Sequence, residues 1–239
     1  MLSMRAPLDQ FKESLELANA LKKLERDKFP PNPKLMDQPF VKGLRGGAAV
    51  LMIAAFEFFI KRLFEENISK LNTSPPTIDL NKLPDKFKVK VVYDGLQNAM
   101  DGPKFVSKPS KVDRIKDIMS ACKLLIGEHI NPSTFADTGS NPNGDTIKEK
   151  FSEVGLPDIF GKIKSDFETK WGTAVADSFI KGKLDEIVRT RHVVAHTADT
   201  LNITRSSQNE AFKFLKILAE LLESELEKHV KDLLKTAKK

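Results

Sequence analysis

The sequence predicts an all-α protein, and three observations support that prediction. The 239 residues include only one Tyr and one Trp, and runs of β-branched residues are few. Apolar residues recur at spacings of three and four through most of the chain, which is the period of an amphipathic helix. Breaks rich in Pro and Gly separate these patterns, but no internal repeat or long linker divides the chain. We therefore predict one all-α domain over residues 1–239, with an N-terminal helix at about 8–29 and a core at about 43–236.

The breaks between the apolar patterns set the boundaries of the predicted helices. Pro30-Pro31-Asn32-Pro33 ends the first helix, and Ser74-Pro75-Pro76 ends the second. Gly155-Leu156-Pro157 interrupts the helical pattern that starts at Thr146. The segment 206–210, Ser-Ser-Gln-Asn-Glu, supplies an N-cap and an acidic residue for the first turn of the last helix. In chain order the predicted helices lie at about 8–29, 43–71, 83–100, 112–126, 146 onward, 173–196 and 206–234.

Two segments depart from the helical pattern. Residues 131–145 are rich in Asn, Pro, Gly, Ser and Thr, a composition that predicts a loop. Residues 79–92 contain Val89, Val91 and Val92, and this is the one segment where the sequence is also compatible with a strand. Neither segment changes the predicted fold class.

Composition excludes several classes of protein. With 39 basic and 33 acidic residues, a net charge of +6, 40% apolar and 30% charged residues, the chain is typical of a soluble globular protein and not of a disordered one. The single cysteine, Cys122, excludes a disulfide framework and a cysteine-rich zinc site. The most apolar stretch, Gly46 to Phe56, is interrupted by Glu57 and is shorter than a bilayer span. We expect a cytoplasmic protein with no membrane partner and no secretory signal.

Glu57 lies in an unexpected place on the second predicted helix. On a helical wheel of 100° per residue, it falls inside the apolar stripe rather than at its edge. A buried carboxylate must be neutral or have a basic or donor partner, because desolvation of the charge is costly. Lys61, one turn further along, is the nearest candidate in the sequence. The apolar residues within about 40° of Glu57 on this wheel are Val50, Ile53, Phe64, Ile68 and Leu71.

The helix predicted at 173–196 contains a matching anomaly. Arg191 falls in or beside an apolar stripe, and His192 and His196 flank it with the small Ala195 between. Arg191 could be the buried partner of Glu57, which would hold two helices in register. His192 and His196, four residues apart, could also bind zinc. We expect no metal there, because no Glu lies between them in a metalloprotease pattern and no cysteine pair is present.

Three stretches resemble the HEPN superfamily. The run Arg191-His192-Val193-Val194-Ala195-His196 resembles its R-x4-H signature. Glu57-Phe58-Phe59-Ile60-Lys61-Arg62, with Ala55-Phe56 before it, resembles its acidic helix. The loop 139–145, Gly-Ser-Asn-Pro-Asn-Gly-Asp, followed by Phe151 and Gly155-Leu156-Pro157, resembles the GNPN-type segment of the RiboL-PSP-HEPN group, with Gly-Ser-Asn-Pro in place of Gly-Asn-Pro. Together these stretches cover about residues 43–225, and the N-terminal helix has no counterpart that we can match.

The resemblance implies a HEPN-type helical bundle with additional helices and, in active members, a metal-independent endoribonuclease without cofactors. Such enzymes act as toxins, in phage defence or in RNA processing. On this basis His196 is expected to be the general acid–base, Arg191 the phosphate clamp, and His192 a residue that orients RNA or shares proton transfer. Glu57 would position the arginine or Lys61. An imidazole suits proton transfer near neutral pH, and a guanidinium can bind the phosphate oxygens. Cleavage is expected to leave a 2′,3′-cyclic phosphate and to persist in EDTA.

The spacing of the motif and the resemblance together lead to a prediction about assembly. Residues five positions apart on a helix diverge by about 140° and rise about 7.5 Å, so one straight helix cannot easily direct both side chains at one phosphate. Two copies related by a two-fold axis would line a shared cleft, so we predict a homodimer with a composite site. The alternatives are a non-catalytic helical interaction module, or an antitoxin or sensor subunit of a defence system with a partner protein.

Overall fold

The computed structural model describes residues 6–72, 82–94, 96–97, 100, 110–125, 130, 132–136, 141–197 and 203–236. Within these ranges the regular structure is helical and no strand occurs. The predicted all-α fold class is therefore confirmed.

Nine α-helices are described, and we number them in chain order. They are α1 (Pro7–Lys28), α2 (Gln38–Ser69), α3 (Asp85–Val89), α4 (Lys111–Leu125), α5 (Ser133–Ala136), α6 (Gly144–Glu153), α7 (Ile159–Trp171), α8 (Phe179–Thr197) and α9 (Arg205–Thr236). Short 3₁₀ segments flank α2 at Leu35–Asp37 and Lys70–Asn72, and a π-helical segment, Lys90–Asp94, follows α3.

Two of the predicted boundaries are wrong by five or six residues. Helix α2 begins at Gln38 and not near Gly43, because Pro39 is tolerated in the first turn of a helix, where its missing N–H has no partner to lose. Helix α8 begins at Phe179 and not near Thr173. Gly172 adopts a left-handed φ of +97° after α7, and the side chain of Glu168 accepts a hydrogen bond from the backbone N–H of Val175. The chain between α7 and α8 is therefore held out of helical conformation.

The two segments without a helical pattern also differ in part from expectation. The strand considered at 79–92 is wrong for residues 85–92, which are helical, whereas residues 79–81 lie outside the described residues. The loop predicted at 131–145 contains the one-turn helix α5, and α6 starts inside it at Gly144. Residues 131 and 137–140 of that loop lie outside the described part of the chain.

The predicted cap of the last helix is displaced. Thr204 and Ser207 cap α9 reciprocally, with the Ser207 N–H donating to Thr204 Oγ1 and the Thr204 N–H donating to Ser207 Oγ, both at 3.0 Å. This arrangement satisfies N–H groups that the first helical turn leaves without partners. The N-cap residue of α9 is therefore Thr204, two residues before the predicted Ser206, and the sequence pattern that marks it is Thr204-x-x-Ser207.

The chain separates into two compact units. The first contains Met1–Ile60, Ser140–Ile147 and Phe160–Glu223, and the second contains Lys61–Gly139, Lys148–Ile159 and Ser224–Lys239. Helices α2 and α9 contribute residues to both units. The prediction of one domain over residues 1–239 stays a prediction.

Each unit has an aromatic core. In the first unit Phe11 of α1 contacts Phe59 of α2 at a ring distance of 5.2 Å, and Phe167 of α7 contacts Phe214 of α9 at 5.6 Å. In the second unit Phe64 packs edge-on against Phe151 at 5.2 Å. Buried aromatic pairs of this kind add to the free energy gained from apolar burial, so these contacts stabilise the packing of the helices within each unit.

The apolar helix α2 requires one correction. With its flanking 3₁₀ turns it forms a continuous helix over Leu35–Asn72 that, over one 18-residue window, is long and apolar enough to cross a membrane. The expectation that this stretch is too short was therefore wrong. Half of that window is buried inside the protein, and the core helix of a soluble protein has the same length and composition. The helix is consistent with a soluble protein.

Candidate active site

The three motif residues lie on the last two turns of α8, in the first unit. Arg191 is half-buried, whereas His192 and His196 are exposed. The buried face of α8 is formed by Leu184, Ile187 and Val188, which explains why Arg191, on the same side one turn later, is partly covered. The helix therefore presents a partly covered guanidinium beside two accessible imidazoles.

Among the described residues, the guanidinium of Arg191 has one hydrogen-bond partner. Its Nη1 donates to Oδ1 of Asn141 at 2.9 Å. Its Nε is buried and has no acceptor, and no carboxylate among the described residues lies within ion-pair distance. A buried donor without an acceptor costs about 1–3 kcal/mol. Within the described part of the chain, Arg191 thus has no counter-charge and one unused donor, a combination that suits an anionic ligand.

The two histidines contact each other. The ring centroids of His192 and His196 lie 4.3 Å apart with 50° between the ring planes. The i, i+4 spacing on one helix face produces this contact. Two adjacent, exposed imidazoles can donate and accept protons at the same surface.

A short segment in front of α6 runs alongside α8. Besides the bond from Arg191 to Asn141, the N–H of Gly144 donates to Asp185 Oδ1 at 2.7 Å, and Lys181 Nζ contacts Asp145 Oδ2 at 3.1 Å. We call residues 141–145 the docking segment, because they contact α8 at three levels. Hydrogen bonds to Asp145 and Asp185 raise the pKa of Lys181 above its ordinary value, so this cation stays charged.

Gly144 lets the docking segment approach α8 closely. A Cβ at this position would overlap Cγ of Lys181 and would lie 3.3 Å from the Lys181 carbonyl oxygen. Asn143, the preceding residue, caps α6 by accepting a hydrogen bond from the N–H of Thr146 at 2.9 Å, and Pro142 is buried. In the sequence Asn-Pro-Asn-Gly, Asn141, Asn143 and Gly144 thus each make a specific hydrogen bond, and Pro142 is buried.

In the described part of the chain, the predicted supporting residues Glu57 and Lys61 make no hydrogen bond or ion pair with Arg191. Glu57 is half-buried and Lys61 is exposed, and within the described residues neither forms a hydrogen bond or an ion pair. Arg191 contacts Asn141 and not Glu57. Asn141 lies in the loop that resembles the GNPN-type segment, but it is not among the site residues predicted from the sequence. The signal that could have found it is its place in that segment, since spacing along the chain gives no hint of a contact 50 residues away.

An open apolar groove of about 630 Å³ adjoins the motif within the first unit. Val194 and Ala195 of α8 form one wall, and α2 forms the other with residues that include Gly43, Gly46 and Gly47. Lys42 lies at its edge. Among the residues that the structure describes, no group of three or more His, Cys, Asp or Glu side chains is arranged to hold a metal ion.

Comparison with known proteins gives one positive finding. The model of the RiboL-PSP-HEPN family matches residues 9–228. This range includes the N-terminal helix, the docking segment and the R-x4-H motif. No curated protein and no solved structure matches the chain.

Proposed function

Because this chain belongs to the RiboL-PSP-HEPN family, we propose that it is a metal-independent endoribonuclease. The family is consistent with an RNA-related function. The proposed reaction is attack of a ribose 2′-hydroxyl on the adjacent phosphate, which leaves a 2′,3′-cyclic phosphate end. A toxin or phage-defence effector in the cytoplasm is the proposed role.

The observation that carries the proposal is the state of Arg191. This half-buried guanidinium has a neutral amide as its hydrogen-bond partner, and its buried Nε has no acceptor in the part of the chain that the structure describes. An arginine that serves only to hold helices together would pair with a carboxylate. A guanidinium with unused donors supports binding of a phosphate and stabilisation of the charge that develops on its oxygens.

The proposed roles follow from the chemistry of the three side chains. One imidazole takes the proton of the 2′-hydroxyl as its oxygen attacks phosphorus, and an imidazole gives a proton to the departing 5′-oxygen. We assign this work to His196, with His192 orienting RNA or sharing the proton transfer. Arg191 binds the non-bridging oxygens throughout. No step in this scheme needs a metal ion.

The proposed assembly is a homodimer with a composite site, and an antitoxin or other defence-system protein is a further proposed partner. On one helix Arg191 and His196 diverge by about 140°, and a second copy can bring an imidazole to the first copy's guanidinium. Light scattering at micromolar concentration is expected to give twice the mass of the chain. A monomer that cleaves RNA would contradict the composite site.

The test is cleavage of labelled RNA by the purified protein in the presence of EDTA. Wild type is expected to cut the RNA and leave cyclic phosphate ends. His196→Ala is expected to lose about 10²- to 10⁴-fold in rate, the usual contribution of a general acid–base, and His192→Ala to lose less. Loss of wild-type activity in EDTA would contradict the metal-independent mechanism. Equal behaviour of wild type and His196→Ala would contradict the catalytic role.

A non-catalytic interaction module is the second candidate. The observation that favours it is apolar surface, since Leu35 and Met36 in the 3₁₀ turn before α2 and Phe40 in its first turn are 81%, 75% and 64% exposed. This candidate predicts no cleavage by wild type. The same RNA assay therefore separates the two functions.

A further inference from the structure

We infer that Asn141 is a positioning residue, which holds the guanidinium of Arg191 in place while leaving its charge free for a phosphate. This inference rests on the proposed function, since it assigns a role in the same reaction. It also replaces Glu57 as the expected support of the arginine.

The direction of the hydrogen bond is fixed by chemistry. A guanidinium carries donors only, so the side-chain oxygen of Asn141, and not its nitrogen, must face Arg191 Nη1 at 2.9 Å. The amide therefore occupies one N–H of the arginine and aligns the planar group. Among the described residues the buried Nε has no acceptor.

The neutrality of the amide matters for catalysis. A carboxylate at this place would form a charge-assisted and often bidentate pair with the guanidinium, and it would neutralise the charge that must stabilise the phosphate. An amide oxygen supplies orientation without that neutralisation. The chain thus offers Arg191 an acceptor that aligns it and does not compete with the substrate.

Asn141 is itself held firmly enough to position another group. Its carbonyl oxygen accepts a hydrogen bond from the N–H of Asn143 at 2.8 Å. The docking segment is fixed to α8 by the bond from Gly144 to Asp185 and by the pair of Asp145 with Lys181. These contacts span residues 181–191, about 15 Å along the helix. The amide is therefore placed by α8 itself, the helix that carries Arg191.

The test uses three single variants of the full chain in the RNA cleavage assay. Asn141→Ala removes the acceptor, and we expect kcat to fall about 10- to 100-fold, the range of one charge-assisted hydrogen bond. Asn141→Asp keeps an acceptor but adds a charge, and we expect a loss at least as large, with a raised KM for RNA. Asn143→Ala is the matched control in the same segment, and it is expected to lower the melting temperature with little change in kcat.

The aspartate variant separates positioning from a structural role. If Asn141 only stabilises the fold, Asp accepts the same hydrogen bond and activity is retained, which would overturn the inference. An Asn141→Ala variant as active as wild type would overturn it as well. In combination with Arg191→Ala, Asn141→Ala is expected to cause no further loss, because it acts through the arginine.

A readout without catalysis keeps this inference separate from the proposed function. The NMR signal of the Arg191 Nε–Hε group can be assigned by its disappearance in Arg191→Lys. This signal is expected to show increased mobility of the Arg191 side chain in Asn141→Ala and unchanged mobility in Asn143→Ala. An unchanged signal in Asn141→Ala overturns the inference even if wild type cleaves RNA. If wild type fails to cleave RNA, the proposed function is wrong, and the NMR result alone decides whether Asn141 holds Arg191.

Discussion

Two arginine environments in the first unit differ in the groups that contact the guanidinium. In the first, Arg45 and Arg205 share the buried Glu25, with Arg45 Nη2 at 2.7 Å from one carboxylate oxygen and Arg205 Nε at 2.7 Å from the other. In the second, Arg191 contacts an amide, and its buried Nε has no acceptor among the described residues. The first cluster is electrostatically paired within the chain, whereas in the described part of the chain Arg191 has no carboxylate partner.

The arginines of the paired cluster also donate hydrogen bonds to backbone carbonyls. Arg45 Nη1 donates to the carbonyl of Ile203 at 3.1 Å, and Arg205 Nη2 donates to the carbonyl of Phe29 at 2.6 Å. These contacts join α1, α2 and the start of α9. A buried charge is tolerated when it is paired and fully hydrogen-bonded. The contacts of Glu25, Arg45 and Arg205 indicate a structural role for that cluster, and the contacts of Arg191 are consistent with its proposed role in binding a ligand.

The largest expected effect on stability is that of Glu25→Gln. The side chain of Glu25 is 2% exposed, and its loss of charge would leave two arginines side by side without a counter-charge. We expect the free energy of unfolding to fall by about 3–5 kcal/mol. Urea denaturation of the purified wild type and variant measures this difference in the free energy of unfolding.

The control for Glu25→Gln is Glu227→Gln in the second unit. Glu227 pairs with Lys70 at 3.2 Å, but both side chains are about 40% exposed. Such a pair is expected to contribute less than about 1 kcal/mol. Equal losses in the two variants would contradict the assignment of a structural role to the buried cluster.

Gly144→Ala is expected to have an intermediate effect. A Cβ there would overlap the Lys181 side chain and crowd its carbonyl oxygen, so the docking segment would have to move away from α8. We expect a loss of about 1–3 kcal/mol in the free energy of unfolding, as for other overpacked sites. Gly182→Ala, whose Cβ would meet nothing within 4 Å, is the control. A Gly144→Ala protein as stable as Gly182→Ala would show that the segment does not dock closely.

The smallest expected effect on stability is that of Arg191→Ala. The substitution removes a hydrogen bond to Asn141 but also removes an orphaned buried donor, and the two contributions are of similar size. We expect a change below about 1 kcal/mol by urea denaturation. Arg45→Ala is the contrast, with a loss several times larger because it leaves Glu25 underpaired. Similar losses for the two arginines would erase the distinction between them.

The helices of this fold were largely predictable, because apolar residues at helical spacing set their existence and proline or glycine set many ends. The misplaced boundaries of α2 and α8 depended on tertiary or local features. Pro39 was compatible with a first turn, and Glu168 held the backbone at Val175 out of the helix. The cap by Thr204 and Ser207 was readable in principle, but Ser206 and Ser207, which follow Thr204 closely, are also good N-cap residues.

The candidate site was predictable in part. Periodicity placed Arg191 beside an apolar stripe and brought His192 next to His196, and the structure has both features. The partner of Arg191 could not be derived in the same way. The wheel identified Glu57 as the carboxylate most in need of a partner, but a wheel describes one helix and cannot tell which distant segment lies opposite. Asn141 reaches Arg191 only because the docking segment lies along α8.

The most direct test of the account compares two arginines on α8 in the RNA cleavage assay. Arg189, two residues before Arg191, is exposed and has no assigned role, so Arg189→Ala controls for the loss of one positive charge on this helix. We predict that Arg191→Ala lowers the cleavage rate in EDTA about 10²- to 10³-fold while the protein remains folded, and that Arg189→Ala changes it only slightly. Equal rates for the two variants would contradict the claim that Arg191 is reserved for the phosphate of RNA.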